Sequence, residues 1–385
     1  MRFSSLMDTF KPNIFNVLEA KRRELIKAGQ EVINLSVGTP NLLPPQHVME
    51  VIAQAALDPE CYKYSILDSA ELQEAVINWY KKRYDVCLDA EGFTSVYGSQ
   101  EGISHIPFVF CNPGDIVIIG SPTYPIFAFG PLLAGARLYR VALKEENGYL
   151  MDFASIPQNI AQAAKMIIVS YPSNPLAVVA NDDFYENLIA FAKKYNIVVI
   201  HDNAYSEYIH DSKPGGSFLQ YDGAMDVGIE FNSLSKSYNL TGLRISFALG
   251  NKEIIKAFRS LRSQIDYGIS YLDQKAATAA LCGSQDILGS NRAHYKAARD
   301  KIYEGLNSIG WKVPLSQATM FAWLPIPKGR KSEEFTLEVL EKTNVIFVPG
   351  TAFGTEGEGY VRAALVADIP TLEKAINKIA VSGII

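Results

Sequence analysis

The chain carries two apolar rhythms, and it changes from one to the other at recognisable points. Through its middle, short runs that are apolar at nearly every position recur at residues 93–97, 116–119, 137–143, 166–170, 197–200, 227–231 and 245–249. Between several of these runs the spacing turns helical, as in the segment opening at Gly98 and at 182–195. A strand that is apolar on both faces has to be covered on both, so these runs predict an α/β architecture: a mostly parallel seven-stranded sheet sandwiched by helices. Ahead of it, residues 1–29 set Ile14, Phe15, Leu18, Leu25 and Ile26 on one helical face that stops at Gly29, and 32–40 reads as a short strand breaking at Gly38. Helical spacing returns at 46–57 and again from Glu71. Beyond Asn251 come long helical stretches at 253–281 and 294–309, short strands at 321–324, 345–348 and 360–365, and helices from Ser332 and Pro370. The pattern predicts a large α/β domain at 31–283 and a smaller α+β domain formed by 1–30 with 284–385.

Composition narrows the class. With 385 residues and 48% hydrophobic content the chain can bury a large core. A net charge of -5 and a pI near 5.7, without a dense Lys/Arg block, argue against nucleic acid as a partner. No run of eighteen apolar residues occurs, and Asp8, Lys11 and Glu19 interrupt the first twenty positions, so neither a membrane span nor a signal peptide is expected. Cys61, Cys87, Cys111 and Cys282 show no metal-ligand spacing, which suits reduced thiols in a cytoplasmic protein that holds no metal.

In open α/β sheets ligands gather where the carboxyl ends of strands meet helix starts. That edge holds Gly98-Ser99-Gln100; Tyr124 in Ser-Pro-Thr-Tyr-Pro; Asn174 in Tyr-Pro-Ser-Asn-Pro; Asp202 and Tyr205 in His-Asp-Asn-Ala-Tyr; and Ser233-Leu-Ser-Lys236 with Arg244 following. Singly, each has an ordinary reading: a solvated lysine, a capping or ion-paired aspartate, half-buried tyrosines, a turn asparagine, and in Gly38 a turn glycine. Together they offer an amine for an aldehyde, an acid for a ring nitrogen, an amide and a phenol for a ring hydroxyl, an aromatic plate, and donors with an arginine for a phosphate. Pyridoxal phosphate requires that set.

At this point the chain resembles a fold-type I pyridoxal-phosphate enzyme of the class I/II aminotransferases. The run from His201-Asp-Asn-Ala-Tyr to Ser-Leu-Ser-Lys-Ser-Tyr-Asn-Leu-Thr-Gly-Leu-Arg244 is similar to the LL-diaminopimelate aminotransferase-like branch, and the likeness extends from Leu35-Ser-Val-Gly-Thr-Pro to Tyr360-Val-Arg-Ala. The resemblance implies Lys236 as the lysine that joins the cofactor's aldehyde, Asp202 at the ring nitrogen, Tyr205 and Asn174 at the ring hydroxyl, and Tyr124 on the ring face. It implies Ser99, Gln100, Ser233 and Arg244 at the phosphate, and Arg362 with Gly38 and Asn174 at the substrate's α-carboxylate. Tyr64 resembles a tyrosine that reaches the neighbouring subunit's phosphate, which implies a homodimer with composite sites. The small-molecule partners implied are an L-amino acid and a 2-oxo acid.

Some positions depart from the family pattern. Leu176-Ala177 replaces the usual Thr-Gly after Asn-Pro, Ser246 replaces a glycine, Asp68-Ser69 stands where a glycine follows the tyrosine, and Gln73 replaces an arginine. The segment 266–274 has tyrosines at 267 and 271 and no arginine, which disfavours aspartate as substrate. Aromatic amino acids or LL-diaminopimelate are the expected donors, with glutamate and 2-oxoglutarate as one pair. A carbon-sulfur β-lyase would use the same apparatus. A non-catalytic regulatory domain would need an attached DNA-binding domain, and the residues before Val32 are few.

Overall fold

The computed structural model describes residues 1–10 and 14–385. Numbered along the chain, β1 (Ile33–Asn34) stands apart from a seven-stranded sheet made of β2 (Phe93–Val96), β3 (Ile116–Ser121), β4 (Arg137–Ala142), β5 (Ala164–Val169), β6 (Val198–Asn203), β7 (Gly228–Ser233) and β8 (Ser246–Gly250). The strand order is β2-β8-β7-β6-β5-β3-β4. Only β8 runs against its two neighbours, so it begins at the edge where the other strands end. The apolar runs have their explanation in the packing. Met166 and Ile168 of β5 pack on one face with Ile103, Phe231 and Phe258, while Ile167 and Val169 pack on the other with Phe184, Leu188 and Phe247.

The rear face of this sheet also buries a polar knot. Glu230 on β7 is fully buried and accepts from Tyr80 Oη at 2.8 Å, Ser217 Oγ at 2.9 Å and the Phe218 amide at 2.8 Å, with His201 Nδ1 at 3.0 Å. Four partners around one carboxylate satisfy the oxygens that burial removes from water.

The rest of the chain forms a second layer. Strands β9 (Phe321–Pro325), β11 (Val348–Pro349) and β12 (Tyr360–Ala364) make an antiparallel sheet in the order β11-β12-β9, and β10 (Val345–Ile346) pairs in parallel with β1. Its core joins Ile302, Leu306, Trp311, Phe335, Val339 and Leu372 to Ile33 and Leu35. The helix Ile14–Lys27 docks through Leu18 against Leu340 and Ile346. Among the described residues no helix is long and apolar enough to cross a membrane.

Four expected elements come out differently. The run 345–348 is not one strand, because Val345–Ile346 pairs with β1 and Val348–Pro349 with β12, the two diverging at Phe347. The stretch 253–281 is two helices, Lys252–Arg262 and Tyr271–Cys282. The connection between them is held by tertiary hydrogen bonds, Gly268 N to Ser65 O at 2.7 Å and Tyr97 Oη to Gly268 O at 2.8 Å, which helical periodicity does not encode. The strand at 32–40 shrinks to Ile33–Asn34, since the Asn34 side chain takes the Ser36 amide at 3.0 Å and turns the backbone aside. The N-terminal amphipathic stretch is a 3₁₀ turn at Ser5–Thr9 and then the helix Ile14–Lys27, with 11–13 outside the described residues.

Candidate active site

A cavity of about 720 Å³ opens at the edge where β2, β3, β5, β6 and β7 end and β8 begins. Gly38, Ser99, Gln100, Tyr124, Asn174, Asp202, Tyr205, Ser233, Lys236, Arg244 and Arg362 all line it. Sheet order accounts for much of the convergence, since Ser99 and Arg244, 145 positions apart, reach one edge through neighbouring strand ends, while Arg362 comes from β12 of the second sheet.

Local sequence places each group. Ser233 ends β7 and its hydroxyl accepts from the Ser235 amide at 3.1 Å, starting the short helix Leu234–Ser237 that carries Lys236. Gly98 precedes the helix Ser99–His105 with φ +85°, and a Cβ there would overlap the Arg244 guanidinium. Glycine at 98 therefore allows the arginine to lie across the start of that helix. Arg244 itself donates to Thr241 O at 3.0 Å. Gly38 has the same reason: a Cβ would overlap the Phe321 ring, and its carbonyl accepts from Lys236 Nζ at 2.7 Å.

The electrostatics of this cavity are unusual for a folded interior. Burial, with Arg362 and Arg244 nearby, pulls the Lys236 amine down to about 8. Burial, with the Glu230 charge behind the sheet, pushes the Asp202 carboxyl up to about 7. Asp202 Oδ1 is buried without a hydrogen-bond partner. Arg362 is almost wholly buried, and burial lowers it to about 10. It donates to Asn174 Oδ1 at 2.9 Å and Ser36 O at 2.6 Å, and lies over Phe321 at 4.3 Å and Phe353 at 4.8 Å. No carboxylate pairs with it among the described residues, and its Nε has no partner. Asn174 also reaches the Tyr205 hydroxyl, whose ionisation burial pushes far up. Tyr124 donates to Gln100 Oε1 at 2.9 Å.

Tyr64 is the exception. It is 82% exposed and stands outside this cavity, its ring 5.5 Å from that of Tyr267. Residues that motif reading left out also line the cavity: Ser235, whose hydroxyl lies in the same Ser-Leu-Ser-Lys run, and Phe129, Phe321 and Phe353. The serine could have been found from its neighbours. The phenylalanines carry no local signal, because nothing in their own segments distinguishes a site aromatic from a core one.

The departures from the family pattern settle into ordinary packing. Ala177 takes a left-handed conformation at φ 57°, which glycine adopts more readily, and its carbonyl accepts from Gln317 N at 3.0 Å. Asp68 accepts from the amide of Ser95 at 3.0 Å and from its hydroxyl, while Ser69 caps the helix Ala70–Tyr84. Gln73 donates to Ala90 O at 2.7 Å; Ser246 differs from these, since it is buried in β8 with its hydroxyl unpartnered.

The family described as Aminotransferase class I and II matches residues 30–379. The chain belongs to this family. It is 41% identical, over 99% of its length and 98% of the relative's, to an LL-diaminopimelate aminotransferase of Dehalococcoides mccartyi. It is 39% identical, over 97% and 96%, to one of Halothermothrix orenii. The substrate-bound BacF structure from Bacillus subtilis superposes with a TM-score of 0.94 at 34% identity, covering 99% of this chain and 98% of that one. The protein is thus a fold-type I enzyme of amino-group transfer, acting on small amino and oxo acids.

Proposed function

We propose that this is a cytoplasmic, homodimeric aminotransferase that uses pyridoxal phosphate to move an amino group between an L-amino acid and a 2-oxo acid, with glutamate and 2-oxoglutarate as one pair. The observation that carries the cofactor is Asp202 Oδ1, a buried carboxylate oxygen without a partner in the same cavity as a half-buried lysine amine. An unpaired buried acid is costly unless a cation completes it, and a protonated ring nitrogen is such a cation. The donor set fits the rest of the group. Asn174 and Tyr205 would hold the ring hydroxyl, Tyr124 the ring face, and Ser99, Gln100, Ser233, Ser235 and Arg244 the phosphate.

When bound, the cofactor supplies an aldehyde for the substrate's amino group and a ring that accepts the electron pair left by a departing proton. The chain's own residues do the remainder. Lys236, whose amine burial and two arginines lower to about 8, would be the group that takes the proton from the substrate's Cα and returns it during the exchange. Arg362 grips the α-carboxylate with two prongs, and Asn174 and the Phe321 and Phe353 rings fix its plane. Because donor and acceptor both carry that carboxylate, one arginine serves both directions.

Two donor classes each have support. The name of the relatives favours LL-diaminopimelate. The lining favours an aromatic or aliphatic side chain: Val37, Ile126 and Phe129 are apolar, Phe129 packs on Phe10 at 5.6 Å, and Asp202 is the one acid among the described lining residues. Comparing kcat/KM for LL-diaminopimelate, phenylalanine, tyrosine, alanine and aspartate with 2-oxoglutarate decides between them, and preference for aspartate would overturn both. Borohydride reduction of the loaded enzyme should fix a pyridoxyl group on Lys236, and a label on another lysine would overturn the cofactor assignment. For the dimer, mixing Tyr64→Ala with Lys236→Ala subunits should restore activity above either parent, because one site would then keep both residues.

A further inference from the structure

Lys236 is held at both ends. Its amine donates to Gly38 O at 2.7 Å, and its own carbonyl accepts from Tyr208 Oη at 2.5 Å. Both holds lead to one buried side chain. Asn291, in the helix Asp286–Ser308 and 1% exposed, lies with its amide nitrogen 3.3 Å from Tyr208 Oη and 3.0 Å from Ser237 O. Its amide oxygen accepts from Asn239 Nδ2 at 3.2 Å, and the same nitrogen of Asn239 donates to Leu43 O at 3.0 Å. Leu43 lies in the same irregular segment as Gly38, residues 35–45, so a closed circuit runs from the lysine amine through Gly38, Leu43, Asn239, Asn291 and Tyr208 to the lysine carbonyl. Tyr295, one turn along from Asn291, packs its ring 5.1 Å from that of Tyr208.

Chemistry selects an amide at the centre. Tyr208 spends its proton on the Lys236 carbonyl, so its oxygen needs a donor, while Asn239 presents a donor and needs an acceptor. Asparagine supplies both from one short side chain. Aspartate would set oxygens against the Ser237 carbonyl and the tyrosine oxygen, and leucine would leave the Ser237 carbonyl and the Tyr208 oxygen without the donor that Asn291 supplies.

We propose that Asn291 is a positioning residue for the proton-transfer step: through Tyr208 and Asn239 it sets the Lys236 amine against Gly38, and so fixes where the lysine reaches for a proton. It acts through other residues and touches no reacting atom. The proposal rests on the aminotransferase reading only for its kinetic consequence, since the placement of the amine is a property of the chain itself.

Two readouts test it on the full-length protein. In Asn291→Ala and in Tyr208→Phe, kcat should fall about 10-fold to 100-fold with KM changed less than about threefold, because a misplaced proton acceptor slows the chemistry rather than binding. The substrate Cα-deuterium isotope effect should rise as that step becomes more rate-limiting. In the cofactor-free protein, pH-dependent labelling of Lys236 followed by mass spectrometry should show its midpoint moving upward by about one unit, as water reaches an amine released from Gly38. The charged and titratable groups facing that amine are Arg362, Arg244, Asp202, Tyr124 and Tyr205, and all are unchanged in these variants. The labelling readout needs no turnover, so it separates this proposal from the aminotransferase reading. A folded variant that keeps the wild-type kcat and labelling midpoint overturns the role of Asn291, as does activity lost only in proportion to unfolded protein. If Asn291→Ala does not fold, Tyr208→Phe, which removes one hydroxyl, decides alone.

Discussion

Asp202 and Glu230 are two carboxylates buried on adjacent strands of the same sheet, and they differ in one respect. Glu230, on the rear face, meets four partners. Asp202, on the face of the cavity, keeps one oxygen without any. Equal burial with unequal satisfaction separates a group that holds the fold together from one that awaits something else. The same contrast separates Arg83, paired with Glu207 at 2.9 Å, from Arg362, whose charge has no carboxylate beside it. Where a protein leaves buried charge uncompensated, the missing counter-charge belongs to what it binds.

The sharpest break comes at the amine. Lys236→Ala should lower turnover by about 10,000-fold or more while the chain stays folded, measured as kcat against the melting temperature. Next is Asp202→Asn, expected to cost about 100-fold to 1,000-fold in kcat with unchanged or raised stability of the cofactor-free protein, since an amide needs no counter-charge. A near-normal rate there would make Asp202 another Glu230. Arg362→Lys should reduce kcat/KM for amino acid and oxo acid alike by about 10-fold to 100-fold, because a single ammonium cannot reproduce the two-pronged grip. Glu230→Gln should do the reverse of Asp202→Asn. It should lose about 2–3 kcal/mol of stability in denaturant unfolding and keep kcat within about threefold.

The smallest effect is a pH profile. In the cofactor-free protein Asp202 holds its proton up to about 7, whereas the unfolded chain releases it near the ordinary carboxylate value. Between those values the folded state binds more protons, so stability falls as pH rises. Lys236, lowered to about 8, has the opposite sign: above that pH the folded state binds fewer protons than the unfolded one, and stability climbs towards the ordinary lysine value. Stability should therefore pass through a minimum between about pH 7 and 8, with Asp202→Asn flattening the acid limb and Lys236→Ala the alkaline limb. Saturating the site with pyridoxal phosphate should remove the minimum, since it completes both groups.

Much of the site was legible because strand-end chemistry is local. The runs around Asn174, Asp202 and Lys236 sit beside apolar strands whose ends can be counted from sequence, and Gly98 and Gly38 mark close approaches of backbone and side chain. What was not legible depends on contacts between distant segments. The break at 263–270 rests on Ser65 and Tyr97, and the divergence at Phe347 rests on β1 and β12 competing for one short run.

By itself the sequence determined the sheet, its mostly parallel sense and the set of groups along one edge, because the period of apolar residues and the turn chemistry act over a few positions. Only the tertiary structure decided which of those groups are paired. That Glu230 is satisfied and Asp202 is not, that Phe321 and Phe353 flank Arg362, and that Asn291 meets Tyr208 and Asn239 are facts about burial and distance. The energy of a charge depends on what surrounds it in space, and one-dimensional order does not carry that information.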